Sequence, residues 1–366
     1  MKKIFFIFFI IIFLISFSFG MLTVSENIIP NNLKNLLKQK MITEYSYYQN
    51  NVSELIDIHN FDDISKIRSS LIDYIWHDSS LPYSKLPTKI EKNFFDERFN
   101  DLENLKQIDK FTVLMEYDVN SISYLFLPGD SNNNLIIYHQ GHKGDFLYGK
   151  NTIQYFLNNG YSVLAFSMPL LGMNNQPIVK SDFGEIKLVS HDYFSFLESS
   201  EFSPLKFYFE PITLSLNYVE NNFNFSDIYM VGLSGGGWTT TVYSAIDERI
   251  SKSFSIAGSL PIFLRISEND LGDYEQISPN FYKIANYLDL YLLASYGEDR
   301  KHIQIFNQND PCCFSGDPRG IYDKEIKFIL KDLGFGNYNI YVDNTHSEHK
   351  ISDFSLNVIQ NEIRKN

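Results

Sequence analysis

Ser234 stands in the run DIYMVGLSGGGWTT, residues 227–240. An apolar stretch, 228–231, leads into Gly232-Leu233-Ser234-Gly235-Gly236, and a helix-compatible segment follows. The spacing G-x-S-x-G has a mechanical cause. A serine at a sharp strand-to-helix turn exposes its hydroxyl, and the residues two before and two after it approach other backbone too closely to carry side chains. The helix that begins there aims its free N–H groups and positive dipole end at the same point. One turn thus supplies a nucleophile and, through the N–H of Gly235, half of an oxyanion hole. Alone the motif is a weak signal, because it recurs by chance; it gains weight only from partners in the right places.

Three further loops supply candidates. An apolar run at 135–138 ends in His139-Gln140-Gly141-His142. Gly141 lets the backbone turn an N–H inward, so Gly141 or His142 is the expected second oxyanion donor, and His139 reads as a side chain that braces the loop. The run 303–306 ends in Asn307-Gln308-Asn309-Asp310-Pro311. Asp310 could hold an imidazole in the correct tautomer and stabilise its cation; the bland alternative is a turn aspartate before proline, and Asp317 is the reserve. The run 338–342 ends in a loop that carries both His346 and His349, with Ser352 as the expected N-cap of a last helix. His349 is the expected general base, since it lies at the tip of the loop, three residues before that cap. His346 is the alternative base. The resulting order is Ser, Asp, His.

These residues need a sheet that ends at one edge. Strands are expected at 111–117, 121–127, 135–138, 161–166, 228–231, 253–256, 303–306 and 338–342, with the first two paired as a hairpin across Asp118-Val119-Asn120. Helices are expected near 150–159, 212–223, 236–246, 322–333 and 352–364. The pattern predicts the α/β class: a mostly parallel eight-stranded sheet with helices on both faces, whose strand carboxyl ends carry the chemistry. Residues 21–110 are expected to form an N-terminal helical extension, and 111–366 the main domain. Two long segments, 168–211 and 258–300, leave the same sheet edge and are expected as cap insertions. The aromatic and leucine side chains of the second (Phe281, Tyr282, Tyr287, Leu288, Tyr291) fit core packing equally well. His59 and His77 read as structural or surface residues.

On the strand pattern, Gly-Leu-Ser-Gly-Gly, the His-Gln-Gly turn, Asp310 and the terminal histidine, the chain resembles the α/β-hydrolases over 111–366. It is similar to the branch that holds dienelactone hydrolases, acetyl-xylan-esterase-like and prolyl-oligopeptidase-like proteins. It lacks the His-Gly-Gly-Gly run of lipases, which leaves the donor between Gly141 and His142. The resemblance implies a serine hydrolase acting on an ester or related acyl bond of a small or polymer-derived substrate, with no cofactor and no metal. Two other classes compete. His139-x-x-His142 and His346-x-x-His349 could place four imidazoles around zinc, or the chain could be a binding protein on the same fold.

A net charge of −13 argues against nucleic acid or anionic membrane as partner. The cysteines are the adjacent pair Cys312-Cys313, which excludes a disulfide framework and a cysteine-based zinc site. Export favours a disulfide between them, whereas small buried thiols fit the packing of a core. Met1-Lys2-Lys3, twelve unbroken apolar residues from Ile4 to Ile15, and Ser18-Phe19-Gly20 resemble a secretory signal peptide, residues 1–20, with cleavage expected after Gly20. The expected location is periplasmic or extracellular with no stable membrane insertion after cleavage; a retained membrane anchor is the alternative.

Overall fold

The structure is a computed structural model, and it describes residues 51–182, 184–265 and 270–365. The expected signal peptide and residues 21–50 lie outside the described residues. Among those described, no helix is long and apolar enough to cross a membrane.

The chain enters through helix α1 (Phe61–Trp76), which a reciprocal pair of bonds between Asn60 and Asp63 caps. Then come the strands β1 (Lys89–Glu91), β2 (Leu105–Leu114), β3 (Asn120–Pro128) and β4 (Leu135–His139), helix α2 (Lys150–Asn158) and β5 (Ser162–Phe166). A hairpin, β6 (Ile178–Ser181) and β7 (Gly184–Lys187), precedes α3 (Lys206–Asn222). Next are β8 (Ile228–Leu233), α4 (Gly235–Ile246), β9 (Lys252–Ile256), two single turns, α5 (Tyr274–Ile277) and α6 (Pro279–Tyr282), and α7 (Tyr287–Ser295). The chain closes with β10 (Lys301–Asn307), α8 (Asp323–Leu333), β11 (Asn337–Asp343) and α9 (Asp353–Arg364).

One sheet unites nine strands in the order β1-β2-β3-β5-β4-β8-β9-β10-β11. The pairings from β5 through β11 are parallel, and β1, β2 and β3 join antiparallel at one side. All eight expected strands are present; the count is corrected to nine by β1, whose three residues are too few to show a period. Strand β2 begins at Leu105, so the boundary expected near residue 110 falls inside it. Its first six residues, Leu105 to Lys110, are two-thirds polar and hide the strand.

Alternation along each central strand feeds two cores. Leu135 and Ile137 of β4 pack on the side of α1, α3, α4, α7 and α8, while Ile136 and Tyr138 pack on the side of α2 and α9. Helix α4 is buried along its whole length. Thr239, Thr240 and Thr241 return their hydroxyls to the carbonyls of Gly235, Gly236 and Gly237, so three poor helix formers satisfy themselves within the helix. The segment 258–300 divides. Every residue of α7 is buried against the core, as are Phe281, Tyr287 and Tyr291, so this half is a packing layer. The turns at 270–282 stay at the sheet edge.

The far end of α4 is held by two guanidinium groups. Arg68 of α1 donates to Ala245 O at 2.9 Å and Leu293 O at 3.2 Å, and pairs with Glu248 at 2.7 Å. Arg300 donates to the carbonyls of Ser244, Ile250, Leu293 and Tyr296. These carbonyls include the last, unpaired ones of α4 and α7, where positive charge is favoured. Arg68→Ala is expected to lower stability by roughly 1–3 kcal/mol, because it strips the buried Ala245 carbonyl of its side-chain donor, while Leu293 O keeps Arg300 and the exposed Glu248 carboxylate returns to water. Chemical denaturation checks this; an unchanged midpoint would remove α1 from the load on α4.

Candidate active site

Ser234 sits between β8 and α4 with φ 57° and ψ −127°, a left-handed conformation that costs a non-glycine residue about 1–3 kcal/mol. It is also the one residue from Ile228 to Ile246 that is not fully buried. The surrounding glycines show what holds the strain. A Cβ on Gly232 would overlap Gly236 O, and one on Gly236 would overlap His139 O. The turn is thus wedged against its own helix and against the end of β4. Ser234 N–H donates to Ile256 O at 2.9 Å, which ties the turn to β9 as well.

The loop after β4 lies against this turn. A Cβ on Gly141 would stand 2.6 Å from Ser234 Cβ and 3.2 Å from its Oγ, so only glycine lets this backbone reach the serine. The imidazole of His142 and the Met168 side chain cover Gly235. His139 is elsewhere: it is buried, stacks on Phe166, has Nδ1 2.9 Å from Gln140 O, and burial pushes its pKa down to about 4. A neutral bracing ring is what the sequence reading expects of it.

At the carboxyl ends of β10 and β11, His349 Nδ1 lies 2.7 Å from Asp310 Oδ2. Asp310 is buried; its other oxygen accepts from Cys312 N–H at 2.8 Å, and Asn307 Nδ2 donates to Oδ2 at 3.3 Å. The carboxylate is therefore fixed before it meets the ring. Burial opposes the imidazolium of His349, but the hydrogen bond and charge of Asp310 outweigh it and hold the pKa above the ordinary 6.5. His346 takes a different partner. Its Nε2 is 3.1 Å from Asp343 Oδ2, and Asp343 also binds Thr345 N–H, the Thr345 hydroxyl and the Ser352 hydroxyl. Ser352 caps α9 by accepting from Ser355 N–H at 3.1 Å. The loop thus holds two His–Asp pairs, one turned toward β10 and one folded back on its own base. Asp317, the reserve acid, pairs with Arg319 at the surface.

Cys312 and Cys313, beside Asp310, are not joined in a disulfide. A hydrogen bond to Cys312, with burial, pushes the Cys313 thiol well above its usual range.

The four imidazoles of the two His-x-x-His pairs are not brought together as a metal site. His142 instead joins a group the sequence reading missed. Its Nε2 lies 3.0 Å from His191 Nδ1, 3.0 Å from Glu275 Oε1 and 3.3 Å from Asp273 Oδ2. His191 and Glu275 come from the two insertions, with no local spacing to connect them and no signal in the sequence around Glu275, which is mostly polar.

No family model matches the chain, and no curated protein matches it at the level of sequence. Solved structures do. The acetyl xylan esterase of Paenibacillus sp. R4 is similar with a TM-score of 0.55 at 14% identity, over 85% of this chain and 97% of that one. Acetyl xylan esterase 1 of Thermoanaerobacterium sp. JW/SL YS485 is similar with a TM-score of 0.53 at 16% identity, over 85% and 96%. With the sheet order and the crossover helices, these similarities give the chain the α/β-hydrolase fold.

Proposed function

We propose that the protein is a serine hydrolase that cleaves an ester or related acyl bond. The observation that carries this reading is the 2.7 Å contact of His349 with the buried Asp310, at the strand edge that also presents Ser234 in a strained turn. In this reading Ser234 Oγ attacks the acyl carbon. His349 Nε2 takes the serine proton while Asp310 holds Nδ1–H and stabilises the imidazolium. The tetrahedral oxyanion lies between the backbone N–H of Gly235 and that of His142, with Gly141 making the close approach possible. His349 then protonates the leaving group, and a water repeats the sequence on the acyl-enzyme. The esterase names of the similar structures support the ester class. The substrate is a small-molecule or polymer-derived acyl compound.

A fluorophosphonate probe tests the nucleophile directly. It is expected to form one covalent adduct, on the peptide that carries Ser234, and to abolish hydrolysis of nitrophenyl esters. Labelling of another residue, or none with active protein, would overturn the assignment. The sign of the pH dependence follows from His349. Only the neutral ring can accept the serine proton, and its pKa is raised above 6.5. The labelling rate should therefore fall as pH drops through a value above 6.5, not below it. A flat rate down to the carboxylate range would show that no imidazole is involved.

A further inference from the structure

We propose that His142, His191, Asp273 and Glu275 bind a divalent transition-metal ion, with zinc the best fit. The site is separate from the proposed triad, and it was not expected from the sequence.

Geometry carries the proposal. A tetrahedral ion held at 2.0–2.1 Å places neighbouring ligand atoms about 3.3–3.4 Å apart. Here His142 Nε2 is 3.0 Å from His191 Nδ1, 3.3 Å from Asp273 Oδ2 and 3.0 Å from Glu275 Oε1. His191 Nδ1 is 3.6 Å from Asp273 Oδ2, and the other oxygen of Glu275, Oε2, is 3.5 Å from the same nitrogen. Each of the four residues offers one ligand atom, and all lie within 4.8 Å of one another. Two imidazoles and two carboxylates are ligands that zinc accepts in this number.

One carboxylate oxygen of the group lacks a donor. His191 Nε2 is 2.7 Å from Pro169 O, a carbonyl that can only accept, so Nε2 carries a proton and Nδ1 is the nitrogen turned toward the other three groups. The oxygen without a partner belongs to Glu275. It is fully buried, and its Oε1 receives no hydrogen bond although His142 Nε2 is 3.0 Å away. A buried carboxylate oxygen left without a donor is costly; an ion among the four groups removes the deficit.

The outer groups fit as well. Metal-bound histidines commonly donate their second N–H to a carbonyl, and ligating carboxylates are themselves hydrogen-bonded. Pro169 O serves His191, and the Tyr208 hydroxyl donates to Glu275 Oε2 at 2.9 Å. The Asp273 side chain is 42% exposed and gives an ion its way in. The bound ion would clamp three segments: the loop after β4, the turn at His191 and the turn at Asp273–Glu275.

The test is metal content and zinc-dependent stability of the full chain, purified without chelator and compared with Ser234→Ala, His191→Gln, Glu275→Gln and Asp273→Asn. Wild type and Ser234→Ala are expected to hold about one zinc per chain and to melt higher with zinc than after chelation. Co²⁺ in its place should give the intense visible absorption of a four-coordinate site. His191→Gln and Glu275→Gln should lose stoichiometric zinc, and Asp273→Asn, altered at the half-exposed ligand and so the safest to fold, should bind at least ~10-fold more weakly. Wild-type protein that takes up neither ion, or Asp273→Asn and Glu275→Gln that bind zinc as wild type does, would overturn the site. Because Ser234→Ala should bind zinc normally, failure of the triad and failure of the metal site give different results.

Discussion

Ser234→Ala is expected to leave a folded protein with kcat lowered about 10⁶-fold, the size of effect that loss of a triad serine produces. Alanine keeps the Cβ and therefore the same positive-φ turn, with the glycines on both sides still wedged against Gly236 O and His139 O. The binding surface and the oxyanion donors remain, which is why a small residual rate over water should persist. Steady-state kinetics with a nitrophenyl ester, alongside a thermal melt, separate lost chemistry from lost structure. A variant that keeps more than a tenth of wild-type activity and melts as wild type would show that the serine is not the nucleophile.

The second large effect divides two neighbours on one loop. His349→Gln is expected to lower kcat at least about 10⁴-fold, and His346→Gln at most about tenfold. The reason is the partner of each ring. His349 is oriented by Asp310, which comes from the adjacent strand end and is itself fixed by Cys312 N–H and Asn307. His346 is occupied by Asp343, which also gathers Thr345 and the helix cap Ser352. Losing His346 loosens that gathering, yet three of its bonds survive. Measured at saturating substrate, the reverse ranking would move the base to His346 and pair it with Asp343, an aspartate that the sequence reading did not consider.

What was legible in the chain was local. The elbow, the Ser352 cap and the strand ends are set by neighbours within a few residues, and periodicity reports them directly. Register with the last helix made His349 the expected base, because Ser352 fixes where the loop must end; the different partners of the two rings, Asp310 and Asp343, were not legible. Contacts across the sheet edge were not legible. His142 was read for its backbone alone, since nothing near it in sequence announces His191 or Glu275, whose meeting depends on how two insertions fold back. Strand β1 and the polar start of β2 were lost for the opposite reason: β1 is the edge strand, the start of β2 runs beyond its pairing with β1, and a largely polar strand there looks like a loop.

The Arg68 clamp has a consequence for how the chain reaches its native state. Its acceptors lie 177 and 225 residues downstream, at Ala245 and Leu293. During synthesis α1 emerges long before anything it can bind, and a capped amphipathic helix alone is marginal in water. Its buried face, Ile64, Leu71, Ile72 and Ile75, must therefore wait exposed until most of the sheet exists. Closing so long a loop is slow rather than thermodynamically prohibitive. The docking of α1 is thus a late step of folding, and the interval before it is when this chain is most open to aggregation.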